Sequence, residues 1–177
     1  MRISVERAGE NLRVRMRLDV NRRRWLITRI AVGFLAFVGL FTGLWAVVAP
    51  AAWFRSYPGL GLNWVSPDGP YNHHLAGDVG AFFLALGVVA AAALVYGDSL
   101  LARVAGLGWL VFGVPHLIYH VAHRPADMPT GSYTLSLIGT IVLPVVGLIA
   151  VLAAPRERIQ LRDPAPMTFR LPRRRNR

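Results

Sequence analysis

Five histidines are gathered at two places in the chain. His73 and His74 lie just before Asp78, and His116, His120 and His123 follow one another at intervals of four and three. On an α-helix, residues at i, i+4 and i+7 share one face, so the later three form a single stripe, and His74 stands one turn from Asp78. An imidazole can ligate a metal, serve as an axial haem ligand, hydrogen-bond a carbonyl or relay a proton. A carboxylate one turn away can join such a site or orient one of its rings.

Taken as one set, His74, Asp78, His116 and His120 are the candidate cofactor-binding and metal-binding residues. Zinc or copper would use the neutral ring nitrogens, with Asp78 as ligand or as acceptor for a ligand's other N–H. A b-type haem would take one imidazole from each of two facing helices, and Gly77, Gly80 and Gly113 would leave room for it. A quinone-type pocket and a proton-linked ligand path use the same residues. Tyr71, Asn72 and Tyr119 could add hydrogen bonds. The plainer reading is that these are interfacial polar residues hydrogen-bonding one helix to the next. No catalytic residue is expected, because none of the spacings is that of a defined motif such as HExxH.

The elements that must position these residues are membrane spans. Of 177 residues, 54% are hydrophobic and only 16% charged, too apolar a balance for a soluble domain of this size. Four apolar runs, at about 25–49, 75–96, 100–121 and 134–153, each approach the roughly 20 residues needed to cross a bilayer. The expected fold is all-α, an antiparallel four-helix transmembrane bundle over 25–154, between basic tails at 1–24 and 155–177. Ala49-Pro50-Ala51 resembles a signal-peptidase site. The run before it exceeds the roughly 7–15 apolar residues of a signal peptide's core, so it reads as a retained anchor.

Gly97-Asp98-Ser99 is too short to do other than join the second and third spans as a hairpin. At about 1.5 Å per residue, Asp78 and His116 then reach similar depth. A carboxylate there costs roughly 2.5–3.5 kcal/mol in hydrocarbon, so Asp78 is expected to face the third span with a histidine as partner. Gly39 with Gly43, and Ala76 with Gly80, are small-residue steps suited to close helix contact. Pro115 and Pro144 fall inside spans and predict kinks. The 50–73 loop, rich in Pro and aromatics, predicts a cap over the bundle with a short helix near Ala51–Tyr57. Residues 12–18 alternate apolar side chains with Arg and fit a short strand or an interfacial stretch.

All 20 basic residues are arginine, eight within 1–24 and eight within 156–177. By the positive-inside rule both termini are cytoplasmic, in a multi-pass protein of the cell membrane, with 50–73 and 124–133 outside. Trp45, Trp53, Tyr57, Trp64, Tyr71, Tyr119 and Tyr133 would form the aromatic belt of the outer interface. The tails lack interleaved aromatics for base stacking, so anionic lipid headgroups are the expected partner and nucleic acid is not. The absence of Cys excludes disulfides, thiolate metal sites and iron–sulfur clusters.

The four-span plan, the segment Asn72-His73-His74-Leu75-Ala76-Gly77-Asp78-Val79-Gly80-Ala81-Phe82 and the segment Gly113-Val114-Pro115-His116-Leu117-Ile118-Tyr119-His120 resemble a group of small actinobacterial four-helix membrane proteins, loosely DoxX-like. The resemblance covers about residues 25–155, and the Arg- and Ala-rich composition is similar to that of high-GC genomes. It implies the four-helix architecture and a bacterial inner membrane. DoxX-like proteins are linked to quinone-associated redox complexes, but the group itself lends no established activity. The expected function is binding of a metal, haem or quinone by the His/Asp cluster in the outer leaflet. The alternative is a non-catalytic structural or accessory subunit of a larger membrane complex, partnered by another membrane protein or by copies of itself. A transporter is less favoured, since four spans form a narrow path and no inverted repeat is evident.

Overall fold

A computed structural model describes residues 2–8, 11–17, 21–156 and 167–170. Among the described residues there are five helices: α1 (Arg22–Val48), α2 (Pro50–Ser56), α3 (His73–Tyr96), α4 (Ser99–Ala122) and α5 (Thr130–Ala153). Four of them are long and apolar enough to cross a membrane, and the fold is an all-α bundle of a multi-pass membrane protein. Large apolar side chains such as Ile30, Phe37, Val111 and Leu152 stand exposed around its outside, as lipid-facing surface should.

Local sequence explains the boundaries. The side chains of Asn21 and Asn72 cap α1 and α3 by accepting from Arg24 N and Leu75 N. Gly97 ends α3 in the left-handed region at φ 60°, a conformation that costs glycine nothing. Asp98 follows at once as the cap of α4, accepting from Leu100 N at 2.7 Å and Leu101 N at 3.3 Å. Three residues thus stop one span and start the next. Pro50 sits in the first turn of α2, where its missing N–H does no harm. Helix α5 begins four residues before the apolar run at 134, directly after Pro129, because Thr130 and Tyr133 continue the helix into the polar interface.

The helices close a ring in the order α1, α3, α4, α5 and back to α1, but its contacts are unequal. The tightest packing is α1 on α3. A Cβ placed on Gly39 would lie 2.6 Å from the Cα of Gly87, and one on Gly43 would collide with the Leu84 backbone. Gly80 is filled by Ala46, so the expected small-residue steps do form the contact. On the other side, α4 meets α5 through Gly106 on Gly147 and Gly113 on Pro144. The α3–α4 hairpin is looser and touches through larger side chains, with Phe83 edge-on to the buried Trp109 at 5.9 Å. Helices α4 and α5 continue past their interior prolines, Pro115 and Pro144; Pro144 is buried against Gly113.

At the tail end of the bundle lies a three-stranded antiparallel sheet. It consists of β1 (Arg2–Ala8), β2 (Asn11–Arg17) and β5 (Met167–Arg170), in the order β1-β2-β5. The alternating 12–18 stretch is therefore largely strand, and the N- and C-terminal segments pair with each other. At the opposite end the 50–72 segment folds over the bundle, with α2, a two-residue hairpin of β3 (Pro58–Gly59) and β4 (Leu62–Asn63), and a 3-10 turn at Ser66–Asp68.

Candidate functional site

Beneath that folded segment is a cavity of about 750 Å³. Sites for small organic ligands fall in this range and are mainly apolar with a few polar groups. Here the apolar part is deep: Phe34 of α1 and Leu143 of α5 both line it, about 20 Å from the loop ends of their helices at 1.5 Å per residue. The imidazoles and the carboxylate are nearer the loop, where His116, His120 and Asp68 share the wall, while the deeper hydroxyls of Ser136 and Thr140 donate to the backbone carbonyls of Tyr133 and Leu137.

The two histidines are held by α4. Their ring centroids are 4.7 Å apart and nearly perpendicular, and His116 stacks on Phe112 at 4.9 Å. The backbone carbonyl of His120 accepts the Tyr133 hydroxyl at 2.9 Å, which ties this turn to α5. Tyr119 donates to the Asp68 carboxylate at 3.2 Å, so the 3-10 turn is tied to α4 beside the histidines. His123 lies outside the cavity, exposed, its ring stacked on Tyr119 at 4.5 Å.

The roof is aromatic. Trp53 is buried, and Tyr57 meets Trp45, Trp53 and Trp64 at centroid distances of 6.3, 5.8 and 6.1 Å. Trp53, Tyr57 and Trp64 line the cavity, so these members of the aromatic set expected at the outer interface turn inward, because α2 folds the segment back across the helix ends. Trp64 lies against Gly139 of α5. The Tyr57 oxygen accepts from Thr42 at 3.4 Å. Burial pushes the Tyr57 phenol above its usual pKa, with the Thr42 hydrogen bond acting in the other direction, so the hydroxyl stays protonated and able to donate. The indole N–H groups of Trp53 and Trp64 have no acceptor among the described residues.

The structure separates the four residues expected to act together. His116 and His120 line the cavity. His74 and Asp78 pair with each other at 3.3 Å, but their side chains are 88% and 64% exposed. Asp78 therefore does not face α4. The buried stripe of α3 runs Ala76, Gly80, Phe83, Gly87, and at 100° per residue Asp78 points about 200° from Ala76 and from Gly80. A carboxylate near the loop end can meet water and headgroups there, so it needs no partner in the interior.

The metal and haem expectations meet the same obstacle. Among the described residues no three His, Asp or Glu side chains gather as a metal site requires. A haem held between helices would need an imidazole from α3, and His74 is on the outside. Of the glycines expected to make room, Gly80 is occupied by Ala46 and Gly113 by Pro144. Asp68 is the acid that the sequence reading missed. Its only signal was turn chemistry, the Ser66-Pro67-Asp68-Gly69 stretch, which marks a tight turn without showing where the turn lands.

Comparison with protein-family models, with curated proteins and with solved structures finds no match to this chain.

Proposed function

We propose that the protein binds a small amphiphilic ligand of the quinone class in the cavity beneath the 50–72 segment. The observation that supports this reading is the polarity gradient of one cavity: two imidazoles and a carboxylate near the loop, and apolar side chains down to Phe34 and Leu143. A neutral imidazole can donate one N–H to a carbonyl oxygen, and the phenol of Tyr57 can donate another hydrogen bond. An isoprenoid or alkyl tail gains from burial along Val38, Val79 and Phe83, at about 25 cal/mol per Å² of apolar area. The tight α1–α3 and α4–α5 pairs hold a rigid frame, which limits what must be ordered on binding.

In the same proposal the Arg-rich end faces the cytoplasm of a bacterial inner membrane, and the cavity opens in the outer leaflet. The support is the distribution of arginine: the loop-end connections carry only Arg55 and Arg124.

The test is equilibrium binding of a short-chain quinone to the full chain in nanodiscs, read by quenching of tryptophan fluorescence. Saturable binding that weakens about tenfold or more in His116→Ala and His120→Ala is expected, since each removes a polar contact in a largely desolvated site. Absence of saturable binding to well-folded protein would leave the accessory-subunit reading as the better account.

A further inference from the structure

The sheet at the tail end has two unlike faces. In an antiparallel sheet, residues directly opposite one another lie on the same face, and successive residues alternate. The register pairs Val5 with Val14, Val14 with Met167 and Leu12 with Phe169. Those residues, with the register positions of Ile3 and Met16, make one apolar face. The other carries Glu6, Arg13 and Thr168, which pair across the strands, together with the register positions of Arg15, Arg17 and Arg170.

The apolar face is not covered by the bundle. Val5 is 59%, Met167 44% and Phe169 54% exposed. An exposed apolar face on so small a sheet marks a surface that a membrane or another protein covers. The bilayer is close by. Only four residues separate Arg17 from Arg22, where the first span begins, so the sheet is held within a few residues' reach of the bilayer boundary.

We infer that the two tails form an amphipathic β-sheet that lies on the bilayer surface, with its apolar face toward the lipid. The headgroup layer adds roughly 5–7 Å to each side of the hydrocarbon. A sheet resting on the hydrocarbon boundary therefore has its backbone among the headgroups and its arginines at phosphate level. Arg7 lies at the edge of the apolar face. Arg22, Arg23 and Arg24 surround the start of α1, and Arg156 follows α5. Long guanidinium side chains can reach back to phosphates from such positions. Anionic lipid is the matched surface for this charge, and each basic group near it adds about 1 kcal/mol of attraction, screened by salt. The arrangement is the sheet counterpart of an interfacial amphipathic helix. It brings both ends of the chain to one membrane face, and it does not depend on the cavity binding any ligand.

The chain has no cysteine, so single labels can be placed without removing native ones. Full-length Val5→Cys and Phe169→Cys report the apolar face, Glu6→Cys and Thr168→Cys the other, each carrying an environment-sensitive fluorophore, in nanodiscs containing phosphatidylglycerol. The first pair is expected to shift to the blue, to be quenched by brominated lipid and to lose iodide quenching several-fold. The second pair is expected to keep iodide access. Hydrogen exchange on the unlabelled chain keeps the test independent of the labels: amides of 2–8 and 11–17 should be protected, and protection should fall in pure phosphatidylcholine at high salt. Equal iodide access at all four positions overturns the inference. So does protection that brominated lipid does not sense, which would mark the face as covered by protein, either a second copy or another part of this chain.

Discussion

The hydroxyl of Tyr119 donates to Asp68 across 3.2 Å, and this contact joins the 3-10 turn of the outer segment to the helix that carries His116 and His120. Tyr119 is 44% exposed, so the bond stands at the mouth of the cavity and not in its interior. Its role is positional: it holds the Asp68 carboxylate beside the two imidazoles.

Tyr119→Phe should therefore separate binding from stability. Both partners are open to solvent, so the melting temperature of the detergent-solubilised protein should hardly change. Quinone affinity should fall several-fold, chiefly through a faster off-rate, because the turn no longer holds its place over the mouth. A variant that melts early and binds normally would show that the bond supports the fold alone.

Gly139 offers a second test of the cavity. A Cβ there lies 3.4 Å from the Trp64 ring, already at the tight end of ordinary contact. Gly139→Leu should push the indole toward the cavity and abolish quinone binding, while the chain still inserts and elutes as wild type does. Unimpaired binding would mean that the ligand does not occupy the space under Trp64.

The glycines of α1 and α3 make a paired prediction on stability. Gly39→Ala places a methyl group 2.6 Å from the Gly87 backbone, which cannot yield, and should cost about 1–3 kcal/mol. Gly77→Ala meets nothing within 4 Å and should be neutral or stabilise by about 0.5–1 kcal/mol through helix propensity. Thermal unfolding in detergent distinguishes the two. Equal melting points would show that α1 and α3 are not packed backbone to backbone.

The contrast between those two glycines also shows what was legible in the sequence. Span number, caps and helix contacts follow from local rules: apolar runs of fixed length, Asn21, Asn72 and Asp98 ahead of helices, small residues four apart. The direction of Asp78 was legible as well, since the Ala76 and Gly80 step that packs α3 on α1 already turns Asp78 away. Depth along the helix places Asp78 level with His116, but azimuth decides which way it points. Asp68 is different. It reaches the histidines through a fold of the 50–72 segment whose pairings are specific to this loop, and no period in the sequence encodes them. The pairing of the two tails across more than 150 residues is likewise non-local, and only the alternation in 12–18 pointed to a strand.

Orientation can be checked by reporter fusions. Those at residues 10 and 165 should be active only on the cytoplasmic side, and one at residue 62 only on the outer side. A cytoplasmic residue 62 would move the cavity to the inner leaflet without altering its geometry.

The central claim is that a quinone-class molecule occupies the cavity with its head at the histidines. A photoreactive short-chain quinone, crosslinked to the full chain in nanodiscs and mapped by mass spectrometry, tests it most directly. With the reactive group on the head, the account predicts adducts in the segment spanning His116–His120 and around Asp68, competed by unlabelled quinone and lost in the His116→Ala/His120→Ala double variant. With the group at the end of the tail, adducts should move to Phe34, Val38 and Leu143. Adducts confined to exposed lipid-facing residues such as Phe37 and Val111, unaffected by competitor or by the double variant, would contradict it.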